Sequence, residues 1–229
     1  MTICVISQPR LFPPLHYLHR MLVADWFVIL DTVQFTPRHE ENRAKLKTPQ
    51  GTHWLTVPVR KLSREQLILE TRLDPDHPWQ KKALKMLAHL YGKSPYYAEH
   101  AQEIADVIRA PHTMLTELDR ASWGPALRRW PVTCKFVLAS ELPVTGRGPQ
   151  LLLDLCKHVG ADVYLSGPTG RKYLDPSLFA AQGVEVRYHD YHHPVYPQRF
   201  GEFVPFLSYL DMLFNAGLGE TGSADLLPF

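Results

Sequence analysis

The sequence predicts an α/β fold: a mostly parallel sheet that starts with a βαβ unit, with a helical middle segment over about residues 76–130. Three observations carry this. Met1–Ser7 (MTICVIS) and Trp26–Leu30 (WFVIL) are short, continuous apolar runs of the kind that form buried strands. Between them, Leu15, Leu18, Met21 and Leu22 recur at helical spacing, and a strand–helix–strand order sets the two strands parallel. Trp79–Tyr91, Tyr96–Ala110 and Thr113–Arg129 then read as successive helices, the first two joined by Gly92-Lys-Ser-Pro.

The remaining elements follow in order. Pro13-Pro14 suits the first turn of the opening helix, where a missing N–H costs nothing. Residues 31–50 are polar and turn-rich and read as a loop. Gly51–Val59 reads as a strand whose Pro58 belongs at an edge. Val132–Leu138 is a strand, Leu151–Val159 a helix, Val163–Leu165 a strand, and Gly167-Pro-Thr-Gly a turn. Val184–Tyr188 is the last strand before a proline- and aromatic-rich tail, in which Phe203–Phe214 has core-helix spacing. No internal repeat or clean linker interrupts the chain, so one domain over residues 1–229 is expected.

Composition bounds the function. The 229 residues are 45% hydrophobic with a formal net charge of +2, which excludes global disorder. No run approaches the roughly 18 apolar residues of a membrane span. The opening MTICVISQPR lacks the pattern of a signal peptide, so a cytoplasmic chain is expected. Cys4, Cys134 and Cys156 are too few for a disulfide framework or a cysteine zinc site, and no metal centre is expected. Twenty prolines imply many fixed turns, and twelve histidines supply groups that exchange protons near neutral pH. Residues 1–72 hold ten Lys/Arg against six Asp/Glu, whereas residues 183–229 hold two against six. A basic front with a pI near 8.4 points to a small anionic ligand rather than to a polynucleotide.

Four constellations carry chemistry. Gln8-Pro9 leads from the first strand into a helix bearing His16 and His19, at the place where open α/β sheets bind ligands. The spacing puts both histidines on one helix face near a positive helix end. It resembles the paired-histidine motif of nucleotidyltransferases, except that Leu18 stands where that motif has glycine. The second constellation follows the second strand and includes Gln34 and Asn42: Asp31 to orient a base or hydroxyl, and Arg43, Lys45 and Lys47 to hold carboxylate or phosphate. The third, Tyr164-Leu-Ser166-Gly167-Pro-Thr-Gly170 through Tyr173 and Asp175, offers backbone amides to an anion but lacks P-loop spacing. The fourth, His189-Asp-Tyr-His192-His193 followed by Tyr196 and Gln198, is suited to proton transfer; four ligands so crowded seldom close on one metal ion. Plain alternatives stand beside each: exposed helix histidines, a solvated basic loop, a Gly-Pro turn and a surface loop. Nucleophilic catalysis finds little support, because Cys4 and Cys156 fall in apolar runs.

Taken together, these stretches resemble the WbqC-like family. The resemblance is carried by Gln8-Pro9 with Phe12-Pro13 and Tyr17, by Asp25 with Phe27-Val28, and by Asp31-Thr-Val-Gln34 with Asn42-Arg43. It continues in order through Trp54 to Pro58, Trp79, Tyr91-Gly-Lys-Ser-Pro-Tyr96, Tyr164-Leu-Ser166-Gly167 and Tyr173-Leu-Asp175. It ends with Tyr196-Pro-Gln198 and the run from Phe203 to Gly217. His16-Tyr17 departs from the usual glycine–aromatic pair, and Ala83 stands where a histidine is expected, His89 being the nearest replacement. The resemblance implies surface-polysaccharide or small-molecule biosynthesis, with aminoacyl or glycine transfer among the activities associated with the family.

The expected function is a biosynthetic transferase moving an aminoacyl (glycyl-like) or related acyl group onto an amine or hydroxyl of a sugar nucleotide or small metabolite. His16, Asp31 and His193 are the catalytic candidates. Asp31, Gln34, Asn42 and Arg43 would hold the donor or its phosphates, Tyr173, Tyr196 and Gln198 would shape the acceptor pocket, and Gln8, Lys45 and Ser166 are further substrate-binding candidates. Nucleotidyl transfer by His16 and His19 is the alternative, and a non-catalytic ligand-binding or scaffold protein the second. No cofactor is named by the sequence, and nucleic acid is expected as a partner only if tRNA carries the donor.

Overall fold

β1 (Ile3–Ser7) is apolar up to its last residue, Ser7, so neither face can be left in water and the strand belongs inside a sheet. Around it gather β2 (Trp26–Ile29), β5 (Lys135–Leu138), β6 (Val163–Ser166) and β7 (Glu185–Tyr188). In the computed structural model of the protein, which describes residues 1–61 and 63–219, these five strands run parallel in the order β5-β2-β1-β6-β7. β1 and β2 are joined by α1 (Leu15–Leu22), the expected βαβ unit, in a register from Cys4–Trp26 to Ser7–Ile29. Asp25 locks the start of this ladder: its Oδ2 accepts the Ile3 N–H at 2.7 Å, and its own N–H donates to the Ile3 carbonyl at 2.9 Å.

The chain divides into two compact units, each drawn from three stretches of sequence. The first comprises residues 1–8, 19–33 and 132–192 and contains the parallel sheet. Its core packs Ile6, Val28, Leu151, Leu155, Tyr164 and Phe179 from the sheet, α5 (Gly148–His158) and α6 (Pro176–Ala180). Cys4 and Cys156 lie in that core, and a hydrogen bond between them, with burial, pushes the Cys4 thiol well above its ordinary range. Cys134 is also buried, and its thiol is pushed up to about 12.

The second unit comprises residues 9–18, 34–131 and those from 193 onward. It holds the antiparallel hairpin β3 (Arg43–Thr48) and β4 (Gly51–Thr56), and helices α2 (Gln80–Tyr91), α3 (Tyr97–Arg109), α4 (Leu115–Leu127) and α7 (Tyr209–Ala216). α3 packs on α2, α4 and α7 around buried Tyr91, Ile104, Trp123, Tyr209 and Phe214. A buried polar knot ties this unit: Asp211 accepts from the hydroxyls of Tyr91 and Tyr196, each at 3.0 Å. α1 is shared, with Leu15–Leu18 counted in the second unit and His19–Leu22 in the first.

Three expectations are corrected. The segment 31–50 is not all loop, because Arg43–Thr48 (RAKLKT) forms β3. Its apolar positions, Ala44 and Leu46, alternate with long basic side chains, and the hairpin with β4 supplies the partner such a strand needs. The tail helix begins at Tyr209, because Ser208 caps it by accepting the Leu210 N–H, which leaves Phe203 and Phe206 outside the helix. The sheet strand read from Val132 begins at Lys135, where pairing with Trp26 starts.

Asp119 on α4 is fully buried, and neither carboxylate oxygen has a hydrogen-bond partner among the described residues. Burial first, and then the charge of Glu41, push its pKa well above the usual carboxylate range. The folded chain therefore holds Asp119 as the acid, whereas the unfolded chain ionises it above about pH 4. Its contribution to stability is full below that pH and is lost as pH rises toward the folded value. Asp119→Asn is expected to be more stable than the parent by about 1–3 kcal/mol at pH 8, with the gain fading toward pH 4. Urea unfolding at both pH values checks this, and an equal gain at the two would show that ionisation plays no part.

Candidate functional site

In the first unit the chain runs from β1 outward to β2 and β5, then returns to the other side of β1 for β6 and β7. Strand order therefore reverses between β1 and β6, and open α/β sheets take ligands outside the carboxyl ends of such a pair. Those ends are Ser7 and Ser166. Arg20, buried on the last turn of α1, reaches this point with Nη2 3.4 Å from Ser7 Oγ. Its Nη1 lies so close to Gly167 that a Cβ there would stand 3.6 Å away. Gly170 closes the turn after β6, where a Cβ would overlap Ser166 Oγ; only glycine lets the turn fold back on the strand end. A guanidinium beside the Ser7 hydroxyl and a tight turn is suited to an anionic ligand group.

β7 ends next to this place. The His189 N–H donates to the Ser166 carbonyl at 2.8 Å, and its ring Nε2 lies 2.8 Å from His19 Nδ1. The two rings are 4.9 Å apart with Tyr191 packed on both. Burial lowers the pKa of His19, and burial with the charges of His19 and Arg20 lowers that of His189 to about 4. At neutral pH the pair is thus uncharged, one ring donating to the other, which is a geometry that can relay a proton but not hold two.

In the second unit the other two histidines singled out by sequence meet on one ring. His16 stands edge-on to Phe206 at 5.5 Å, and His193 does so at 5.1 Å. Phe206 is 48% exposed with φ at 58°, a backbone conformation that L side chains seldom adopt and that clusters at functional sites. Arg10 Nη1 lies 2.6 Å from Glu40 Oε2 and 3.4 Å from His16 Nε2, so His16 accepts there. His193 Nδ1 donates to the Pro194 carbonyl at 2.8 Å, which leaves Nε2 as the lone-pair nitrogen. Burial lowers the His193 pKa, so this ring is a neutral base at physiological pH.

Many predicted ligand residues hold the backbone instead. Asp31 is buried and accepts the Ser140 N–H at 3.0 Å and the Ser140 hydroxyl at 2.5 Å, fixing the turn after β5. Asn42 donates to the Val57 carbonyl, and Gln34 donates to the Arg64 carbonyl. Gln198 clamps Val204 through both its N–H and its carbonyl, and Tyr196 is bound to Asp211. Ser166 donates to the Gly167 carbonyl at the end of β6, while Gln8 follows β1 half-buried. Arg43 and Lys45 lie on β3; the Arg43 guanidinium stacks over Trp54 at 4.4 Å. Tyr173 is 56% exposed. The structure thus brings together His16 with His193, and separately Ser166 with His19 and His189. Sequence reasoning missed Arg10, Arg20 and Phe206; the adjacent His19-Arg20 pair was the available signal for one of them. Among the described residues, no three His, Cys, Asp or Glu side chains are placed to hold a metal ion.

These features define an open-sheet α/β protein with polar groups gathered at the carboxyl ends of its central strands. The model of the WbqC-like protein family matches residues 8–222, and the chain belongs to that family. It is similar to the uncharacterized protein Rv1507c of Mycobacterium tuberculosis (strain ATCC 25618 / H37Rv), 32% identical over 215 residues that cover 93% of each chain. No solved structure matches the chain. None of its described helices is long and apolar enough to cross a membrane.

The buried histidine pair has a measurable signature. His189 binds protons less readily folded than unfolded, so its stabilising contribution is full above pH 6.5 and is lost as pH falls toward 4. At ~1.4 kcal/mol per pKa unit, about 2–3 kcal/mol of stability is expected to disappear across that window. His189→Asn should flatten the dependence of the unfolding midpoint on pH between those limits. An unchanged slope would mean that His189 binds its proton as readily in the fold as in the unfolded chain.

Proposed function

We propose that the chain is a biosynthetic transferase that moves an aminoacyl or related acyl group onto an amine or hydroxyl of a sugar nucleotide or small metabolite. The observation that carries this reading is His193, held neutral with Nε2 as its lone-pair nitrogen, beside His16 on the strained, exposed Phe206. In the reaction the acceptor nitrogen or oxygen bonds to the acyl carbon, and His193 Nε2 takes the proton it loses. The bond from that carbon to the donor's leaving group breaks. Arg10, anchored on Glu40, steadies His16 at the same ring. Membership of the WbqC-like family supports a biosynthetic setting, including surface polysaccharide, through the family's association with such pathways.

A second reading, nucleotidyl transfer, keeps one observation in its favour: Arg20 lies between Ser7 and Gly167 at the strand-order reversal of the sheet, where a phosphate would sit. Against it, burial keeps His19 neutral and engaged with His189, which makes it a weak phosphate ligand.

A thermal-shift panel of nucleotides, sugar nucleotides, amino acids and aminoacyl-adenylate analogues identifies the ligand class, since a ligand selective for the fold raises the midpoint. With donor and acceptor in hand, His193→Gln is expected to slow transfer by about 10²-fold or more while the ligand-induced midpoint shift is kept. In the parent the rate should fall with pH below 6.5 as the base is protonated. Full activity in both His193→Gln and His16→Gln would overturn the reading, and nucleotide binding lost in Arg20→Ala with acyl transfer absent would favour the second.

A further inference from the structure

We infer that the outer edge of β4, over Thr52–Thr56, binds an extended, acidic peptide segment as a third strand of the β3–β4 hairpin. The argument begins with the register. Val57 N–H donates to the Asn42 carbonyl, and β4 pairs Leu55 with Ala44 and His53 with Leu46. Antiparallel pairing alternates, so the N–H and C=O groups of Thr52, Trp54 and Thr56 turn away from β3. β3 shows the same alternation on its other side: Lys47 N–H meets the Tyr91 hydroxyl, and the Lys45 carbonyl accepts the Ser208 N–H. One edge of the hairpin is therefore engaged by its own unit; on the other, residues 72–74 pair with the chain beyond Thr56, and among the described residues no backbone bond is made to Thr52, Trp54 or Thr56.

That edge is the wall of a cavity of about 330 Å³. Its opposite wall is one face of α2 with the residue before it: Trp79, Lys82, Ala83 and Met86, spaced i, i+3, i+4 and i+7. Trp54 and Trp79 both line it, giving an apolar slot beside a ladder of backbone donors and acceptors. An exposed edge over such a slot is the arrangement that strand addition uses, with main-chain bonds supplying affinity and one side-chain pocket supplying selectivity. Cations outnumber carboxylates around it: Lys82 lines the slot, while Asp74, whose N–H donates to the Pro58 carbonyl, lies at the far end of the edge. α2 carries Lys81, Lys82, Lys85 and His89 with no acidic residue, and Arg43 stacks on Trp54. An acidic partner with an apolar residue at the slot complements this surface. A second copy of the chain, pairing β4 with β4, would bring like charges together.

The test uses the full chain and three fluorophore-labelled seven-residue peptides. One alternates glutamate with leucine or valine, one carries lysine for glutamate, and one is the acidic peptide with alternate amides N-methylated. Fluorescence anisotropy is expected to show the acidic peptide binding about tenfold or more tighter than either control. Thr56→Pro, which removes an outward N–H at an edge where proline is tolerated, and Lys82→Glu should each weaken it about tenfold with unfolding midpoints unchanged. Equal binding of the acidic and N-methylated peptides overturns the inference, as does no binding at about 1 mM. A concentration-dependent dimer abolished by Thr56→Pro would assign the edge to a second copy. Displacement by indole-3-acetate, with no effect of Thr56→Pro, would make the slot a small-molecule site.

Discussion

Burial of β1 on both faces and both edges is the constraint from which the first unit follows. Val5 and its neighbours have nowhere to go but the interior, so the strand must recruit partners on each side. β2 comes from the next segment and β6 from about residue 163, and the reversal of strand order between β1 and β6 is the direct result. Because all five strands run parallel, their carboxyl ends emerge together, and whatever ends them is gathered at one edge. Ser7, Ser166 and His189 are neighbours for this reason rather than through any likeness of local sequence.

The same apolar setting decides protonation. His39 and His77 sit at the surface beside carboxylates, while His19, His189 and His193 are held among rings and lose their affinity for protons. Burial, and not residue type, decides which histidines are held as neutral bases. Asp119 and Glu41 show the converse behaviour, since the burial that lowers the pKa of an imidazole raises that of a carboxyl.

The sheet and the middle helices were legible because continuous apolar runs and helical spacing are local signals. β3 was not, since its lysines hide a two-residue alternation that only the partner strand makes visible. Site residues were harder still. Asp31, Asn42 and Gln198 look like ligand groups in sequence, and nothing local reveals that they satisfy backbone donors and acceptors up to 109 residues away. The pairing of His19 with His189 spans 170 residues and is a property of the topology alone. Phe206 read as part of a core helix because its spacing fits one, but the cap at Ser208 starts the helix later.

The interleaving of the two units along the chain bears on how the protein is made. Residues 34–131 intervene between β2 and β5, yet β2 and β5 are neighbours in one sheet. The first unit lacks β6 until residue 166 and β7 until residue 188 has left the ribosome, and the second lacks α7 until residue 216 has. Neither can close its core during most of synthesis, and the apolar β1, made first, waits longest for its second partner. Such a chain depends on late, long-range closure, so slowing elongation near its end would do little for it, while shielding its first thirty residues would do much.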